Sequence, residues 1–468
     1  MATVRIFGHY VPGSILLLAL FEALVLIASV YAGAYIRFAG EAREIALSIG
    51  PLFPRALVTA IFLLLSMSAL GLYQTRYRSG PVGLILRISM SFIFGLVGLV
   101  VLFYIAPYFY LGRGALAISL LLSLAGISAL HLIFFHYMDA DLFKRRVLIL
   151  GAGEKASAMM LWMRRKSDQR NFRIVGFAPV DGDKPTQAFL NPIIPVVSSL
   201  TDLVRRYDID EIVVAMDERR NNLPISDLLS CRLQGISIID AIAFMERETG
   251  KVKLDLLYPS WLIFSDGYRN GTIHEYGKRL LDIAASLAIS IIALPIMLIT
   301  AVAILVESRG QGSVFYRQIR VGQDGRPFHI LKFRSMVVDA EKQGAQWAIK
   351  ADPRITSVGA VIRKYRIDEL PQLINVIRGD MSLVGPRPER PEFVAELNAN
   401  VPFYGERHRV KPGITGWAQL NYPYGSCAKD ALEKLQYELY YVKNQSLFLD
   451  FMILVQTVEV VLFGKGAR

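Results

Sequence analysis

Residues 363–388 read Arg363-Lys-Tyr-Arg-Ile-Asp-Glu-Leu-Pro-Gln-Leu-Ile-Asn-Val-Ile-Arg-Gly-Asp-Met-Ser-Leu-Val-Gly-Pro-Arg-Pro388. Two adjacent carboxylates, Asp368 and Glu369, stand among four arginines and one lysine. Carboxylates this close repel each other unless a cation shares the site. A phosphate-handling centre supplies one: arginines bind phosphate oxygens, a divalent metal takes one carboxylate, and the other is free to attack. A charged helix start on the surface is the plainer reading, and the flanking residues decide between the two. The spacing predicts a short helix over 370–378, with Pro371 in its first turn and Gly379 closing it. The pair then precedes a helix N terminus, where backbone amides favour phosphate.

Working outward, residues 314–336 alternate apolar and polar positions around Asp324-Gly325, the pattern of a β-hairpin. Lys332 and Arg334 are two residues apart, so on a strand they share a face. The chain has 468 residues, 53% hydrophobic and 20% charged, with a formal net charge of +12. Its mean hydropathy of +0.39 is high for a soluble protein. The length exceeds a single core and predicts about two or three domains. The basic excess suits the Lys and Arg that orient membrane proteins, anionic lipid, or phosphorylated substrates. No basic-aromatic stripe accompanies it, so nucleic acid is not an expected partner. The two cysteines, Cys231 and Cys427, are far apart and argue against a disulfide framework or a structural zinc site. No small-residue cleavage site follows the first apolar run, so a removable signal peptide is not expected.

Four apolar runs, at 14–36, 52–72, 88–106 and 115–135, fill the region 1–140. Each approaches the ~20 residues that a membrane helix needs. Arg76, Arg78 and Arg87 crowd the second connection and Lys144-Arg-Arg146 follows the fourth run, whereas the third connection has Arg113 alone. The positive-inside rule then puts both ends of this four-helix bundle in the cytoplasm, with Arg37 and Arg43 counting against it. Residues 145–253 change to an α/β pattern. Val147-Leu-Ile-Leu-Gly-Ala-Gly-Glu-Lys-Ala156 reads as a buried strand, a glycine turn and a helix start; 173–179 and 211–215 read as further strands. This predicts a Rossmann-like parallel sheet. Gly151-x-Gly153-x-x-Ala156 is an incomplete dinucleotide fingerprint without the usual acidic residue. Nucleotide binding and a structural or regulatory role both stay open. Residues 254–275, rich in Tyr, Trp, Pro and Gly, read as an ordered linker.

The apolar stretch 280–306 has Lys278 and Arg279 before it and Arg309, Arg317 and Arg320 after it. Basic residues on both sides put both ends in the cytoplasm. Pro295 lies near its middle and removes one helical hydrogen bond. A re-entrant helix that turns at Ala293-Leu-Pro-Ile296 and comes back reconciles these features; a fifth span is the alternative. Residues 447–463 carry Asp450, Gln456 and Glu459, which suit an amphipathic helix at the interface, with Lys465 and Arg468 meeting headgroups.

The run 363–388 resembles the catalytic core of the bacterial sugar transferases, the monotopic phosphoglycosyl transferases. Asp368 and Glu369 fall on that family's Asp-Glu dyad, and Gly379-Asp-Met-Ser-Leu-Val-Gly-Pro-Arg-Pro388 on its glycine-to-proline run. Lys332-Phe-Arg-Ser-Met336 and Lys411-Pro-Gly-Ile-Thr-Gly-Trp-Ala-Gln-Leu420 are similar to two further elements of the family. Ile319 stands where relatives often have Glu. The resemblance is specific over 278–468 and extends to the rest only as architecture. It favours a helix-break-helix anchor with Pro295 on the break, so that Lys278, Arg279 and Pro295 form the membrane anchor of an α/β catalytic domain at 276–468.

The resemblance implies a UDP-sugar:undecaprenyl-phosphate sugar-1-phosphate transferase, in the 2.7.8 class, of the bacterial inner membrane. Asp368 would attack the donor's β-phosphate, and Glu369 would hold Mg2+. Lys332, Arg334 and Arg363 would bind the transferred phosphate, and Pro386, Arg387 and Pro388 the uridine end. UMP would leave, and undecaprenyl phosphate would take a hexose-1-phosphate from an aspartyl intermediate. That is the initiating step of exopolysaccharide, capsule or O-antigen synthesis. Thr415 and Gln419 would line the sugar pocket or form a structural turn. A homodimer through paired α/β domains is a further expectation. Two rivals remain: an NAD-dependent sugar-modifying enzyme, against which Tyr207 has Glu211 rather than Lys four residues on, and a non-catalytic export scaffold.

Overall fold

The computed structural model describes residues 3–6, 9–73, 81–138, 144–163, 169, 172–183, 192–196, 199–218, 222–254, 271–338, 340, 352–422 and 428–462. The chain forms two compact units that divide at Gly250/Lys251. Gly250 takes a left-handed conformation to end the helix Ala241–Thr249, so the boundary falls just before the expected linker. Most of that linker, 255–270, lies outside the described residues, as do Arg76, Arg78, Cys427, Lys465 and Arg468.

In the first unit the apolar runs form four helices: α1 Gly13–Arg37, α2 Leu52–Ala69, α3 Pro81–Ile105 and α4 Arg113–Met138. The third begins seven residues ahead of its apolar run, at a proline whose fixed φ suits a first helical turn. Leu26, Leu63, Ile88 and Ile127, one from each helix, share one apolar cluster; Val30, Ala56, Leu99 and Leu116 share another. Outward residues such as Leu24, Ile93 and Leu121 are exposed. Small side chains let α1 and α4 approach closely: a Cβ on Gly33 would meet Ser119 Oγ at 2.2 Å, and one on Gly126 would meet Val25 Cγ1 at 2.7 Å. Between these helices the buried Glu22 carboxylate pairs with His131 Nε2 at 2.5 Å and accepts from the Tyr73 hydroxyl.

The same unit continues into four parallel strands: β1 Arg145–Leu150, β2 Phe172–Ala178, β3 Glu211–Val214 and β4 Ser237–Asp240, ordered β2-β1-β3-β4. Successive strand residues face opposite sides. Val147, Ile149 and Val213 therefore pack with Met159 and Phe244 on one face, and Leu148, Leu150 and Val214 with Leu200 and Leu228 on the other. Covering both faces with helices is what a parallel sheet needs. The strand β4 has one exposed residue, Ser237, and three partly buried ones, and its Ser-Ile-Ile-Asp sequence gave no clear alternation to mark it.

The second unit opens with α9 Thr272–Glu307 (α5 to α8, Glu154–Trp162, Leu200–Tyr207, Ile225–Leu233 and Ala241–Thr249, are the helices of the sheet). The expected turn at Ala293–Ile296 is not there: α9 runs through Pro295 as one helix of 36 residues. One absent N–H removes one bond of the ladder, which bends a helix more readily than it reverses the chain. Then follow the antiparallel hairpin β5 Phe315–Val321 and β6 Pro327–Phe333, the helices α10 Ser357–Lys364 and α11 Gln372–Arg378, and β7 Ser382–Val384. The strand β7 pairs in parallel with β8 Gly413–Thr415. Helices α12 Ala428–Asn444 and α13 Leu447–Leu462 complete a core built on Ile330, Leu373, Val376, Leu383, Leu439 and Ile453.

Candidate active site

Helix α10 starts on Thr356, whose side chain accepts from Gly359 N at 2.9 Å. It ends at Lys364, after which Arg366 adopts a left-handed conformation, φ 61°, and starts a tight turn over Ile367–Glu369. That turn buries both carboxylates, Asp368 and Glu369 being 8% and 9% exposed. Pro371 then leads into α11, which Gly379 closes at φ 99°. The amides of Glu369 and Leu370 donate to the Arg366 and Ile367 carbonyls. Cations rather than a helix end therefore serve the carboxylates.

Those cations converge on Glu369. Its Oε1 accepts from Arg387 Nη2 at 3.0 Å and Lys332 Nζ at 3.1 Å, with Arg366 Nη1 at 3.9 Å. Burial alone would raise the Glu369 carboxyl, but Lys332, Arg387 and Arg366 outweigh it and hold it well below the usual range. Asp368 goes the other way: burial and then the Glu369 charge raise it, against Lys332, Arg363 and Arg366. The adjacent carboxylates are thus unequal. One is clasped as an anion; the other is the more basic.

Supporting contacts fix this arrangement. Asn375 on α11 accepts from Leu331 N at 3.0 Å and donates to the His329 carbonyl at 2.8 Å, joining the dyad's helix to the strand of Lys332. Arg387 leaves β7 between the buried Pro386 and Pro388. Its carbonyl accepts from Arg407 Nη2 at 2.7 Å, and Arg407 is itself clamped by both Glu438 oxygens at 2.7 Å. Pro388 O accepts from Arg320 at 3.1 Å, and Pro386 O from Gly413 N at 2.9 Å.

Other residues singled out from the sequence sit elsewhere. Arg334 lies beyond the end of β6 and donates to the Gln311 carbonyl at 2.8 Å, whereas Lys332 reaches Glu369. Arg363 acts on Asp368 by charge from α10. Lys278 and Arg279 turn into the protein instead of towards headgroups. Lys278 Nζ pairs with Asp450 at 2.7 Å and donates to Val384 O at 3.2 Å; Arg279 donates to the Val376 and Ile377 carbonyls at 2.6 Å, capping α11. Asp450 is therefore no part of a water-facing stripe on α13: it is fully buried and also accepts from Tyr441 at 2.6 Å. Thr415 bonds to Thr457 at 2.7 Å. Arg366, Arg407, Asn375 and Asp282, which holds Ser382 and Leu383 N at 3.0 Å, were not foreseen. Only Arg366 had a local signal, its place three residues before Glu369.

Among the described residues, no group of three or more His, Cys, Asp or Glu side chains is placed to hold a metal ion. A metal here would have one or two carboxylates and would complete its shell with phosphate oxygens or water. That donor set fits Mg2+, which usually keeps few protein ligands.

Residues 273–464 match the bacterial sugar transferase family model, and residues 68–228 match that of a CoA-binding domain. The chain is 45% identical over 241 residues (52% of this chain, 56% of the relative) to a UDP-N-acetylgalactosamine-undecaprenyl-phosphate N-acetylgalactosaminephosphotransferase of Aeromonas hydrophila. It is 32% identical over 332 residues (69% and 60%) to the undecaprenyl-phosphate glucose phosphotransferase of Komagataeibacter xylinus. It is 32% identical over 354 residues (70% and 70%) to the UDP-galactose-lipid carrier transferase of Erwinia amylovora. The chain belongs to the bacterial sugar transferase family. It spans 56% and 60% of the length of the first two of these relatives. Among the described residues, five helices are long and apolar enough to cross a membrane.

Proposed function

We propose that this protein transfers a sugar-1-phosphate from a UDP-sugar to undecaprenyl phosphate, the initiating step of a bacterial polysaccharide. The observation that carries the reading is the geometry of the dyad: Lys332 and Arg387 both bond to the Glu369 carboxylate, which leaves the neighbouring Asp368 carboxylate as the one to attack. Asp368 attacks the β-phosphorus of the donor. The new oxygen–phosphorus bond forms as the bond to the α-phosphate oxygen breaks, and UMP leaves. A phosphate oxygen of the lipid carrier then attacks the same phosphorus and Asp368 departs, unchanged. Lys332 and Arg363 bind the phosphoryl oxygens and spread the developing charge, and Arg387, bonded to the same Glu369 Oε1 as Lys332, takes the nucleotide end. Mg2+, held at Glu369, would neutralise the donor diphosphate. The named relatives use three different sugars, so the reading stops at a hexose or its N-acetylated form.

The catalytic unit in this reading sits on the cytoplasmic side of the inner membrane, on a re-entrant α9. Support comes from the two ends of α9. Lys278 and Asp282 near its start bond to Val384 O and Leu383 N, while Ile304 near its end packs on Phe333 and Ile362, and Glu307 accepts from Val358 N at 3.0 Å. Both ends thus rest on one catalytic unit, and its exposed middle, from Leu287 to Val302, is the part that enters lipid. In this reading the anchor bends at Pro295 within a continuous helix instead of at a loop. A shallow anchor suits a lipid-phosphate acceptor, since each buried CH2 holds the carrier in the bilayer by about 0.8 kcal/mol. The experiment is UMP release from candidate UDP-sugars with undecaprenyl phosphate and Mg2+. NAD turnover, or silence with every donor, contradicts the reading. Cysteine labelling near 275 and 310 tests the anchor, and labels on opposite sides overturn it.

A further inference from the structure

The glycine turn after β1 is the largest feature outside the active site that the reaction leaves unused. In a dinucleotide-binding turn the second glycine makes room for a pyrophosphate, whose oxygens take the amides at the helix start. Here protein fills that room. A Cβ on Gly153 would meet Asp217 Oδ2 at 1.9 Å and Asp217 Cγ at 2.5 Å. Asp217 accepts from Glu154 N and Lys155 N, each at 2.8 Å, the first two amides of α5. Asp183 accepts from Ala152 N at 2.8 Å, Val180 N at 3.1 Å and Asp217 N at 3.2 Å. Lys155 Nζ ties the strap down through the Met216 and Asp217 carbonyls at 3.0 and 2.8 Å. Over the first glycine, a Cβ on Gly151 would meet the Ala215 carbonyl oxygen at 2.6 Å.

We infer that Asp217 and Asp183 occupy the pyrophosphate position from within the chain, so that this domain takes neither CoA nor a dinucleotide at its glycine turn. An incoming phosphate would face two carboxylates, with the amides of Ala152, Glu154 and Lys155 already engaged. The glycines are kept for the chain's own close approach instead of a ligand's. The CoA-binding description of the matched family therefore does not fit this turn.

Amide hydrogen exchange on the full chain in lipid nanodiscs tests this. The amides of residues 152, 154 and 155 should be protected without any ligand and unchanged by millimolar CoA, NAD or ADP. Asp217→Ala should expose 154 and 155 and lower the melting midpoint by about 3–5 °C. Gly153→Ala should destabilise the native chain and do so far less in the Asp217→Ala background, because the colliding carboxylate is gone. Should Asp217→Ala not fold, Asp217→Asn, which keeps the shape but replaces one of the two acceptor oxygens by an NH2 donor, carries the exchange measurement. Saturable CoA, NAD or ADP binding that raises protection at those amides, or strictly additive Gly153 and Asp217 effects, overturns the inference.

Discussion

The turn at Gly151–Lys155 and the turn at Ile367–Glu369 both look from sequence like places where phosphate is handled. They solve the same electrostatic problem in opposite ways. At the glycine turn, two carboxylates lie on backbone amides and close the site against another anion. At the dyad, three cations crowd one carboxylate and leave positive charge in excess beside Asp368. Which anion a turn accepts depends on what the rest of the chain has already brought there, and a motif of a few residues does not report that.

The largest expected effect comes from removing the more basic carboxylate. Asp368→Asn should lower turnover by about 10^3-fold or more with donor binding kept, measured by UMP release and equilibrium binding. If that variant turns over normally, the inequality of the dyad has no catalytic meaning. Next comes the clamp behind Arg387. Arg407→Ala leaves Glu438 buried without its partner, which typically costs about 3–5 kcal/mol, read as a lower denaturation midpoint together with lost activity. A Lys332→Ala change should cost less, about 10- to 100-fold in kcat/KM, since Arg387 and Arg366 still hold Glu369. An equal loss on a Glu369→Gln background would show that the clasp and the phosphate contact are separate.

The smallest effect concerns another surplus of cations, Lys251 and Lys253 sharing Glu433. Burial and Lys251, opposed by Glu433, bring Lys253 down to about 8. A depressed lysine binds fewer protons in the folded state, so its contribution to stability rises as pH climbs from about 8 towards 10.5. Lys253→Met should flatten that rise, by about 1 kcal/mol after solvent screening. A rise of unchanged size in the variant would contradict the assignment.

Much of this architecture was legible in local pattern. The four apolar runs, the continuously apolar strand at Val147, the hairpin around Asp324-Gly325 and the Pro371-to-Gly379 helix each follow from the pattern of neighbouring residues, and the structure has each of them. The Asp368-Glu369 pair was different: by itself it reads as a charged helix start, and only the resemblance of its flanks to a family singled it out. What escaped depends on partners far along the chain. Asp450 looked like a polar stripe because nothing near it shows that Lys278 would neutralise it. Arg334 looked equivalent to Lys332 until the strand ended at Phe333 and the arginine found Gln311. Pro295 looked like a break, yet neighbouring helical bonds carry α9 across it. Gly153 left nucleotide binding and a structural role both open, and only the fold brings Asp217 onto it.

The central claim is that Asp368, and not its clasped neighbour, becomes joined to the phosphosugar. Mass spectrometry of enzyme quenched during turnover with a radiolabelled UDP-sugar, without the lipid acceptor, tests it most directly. A phosphosugar is expected on the peptide carrying Asp368, absent in Asp368→Asn, with UMP released in equal amount. An adduct on Glu369, or UDP as the nucleotide product, contradicts it.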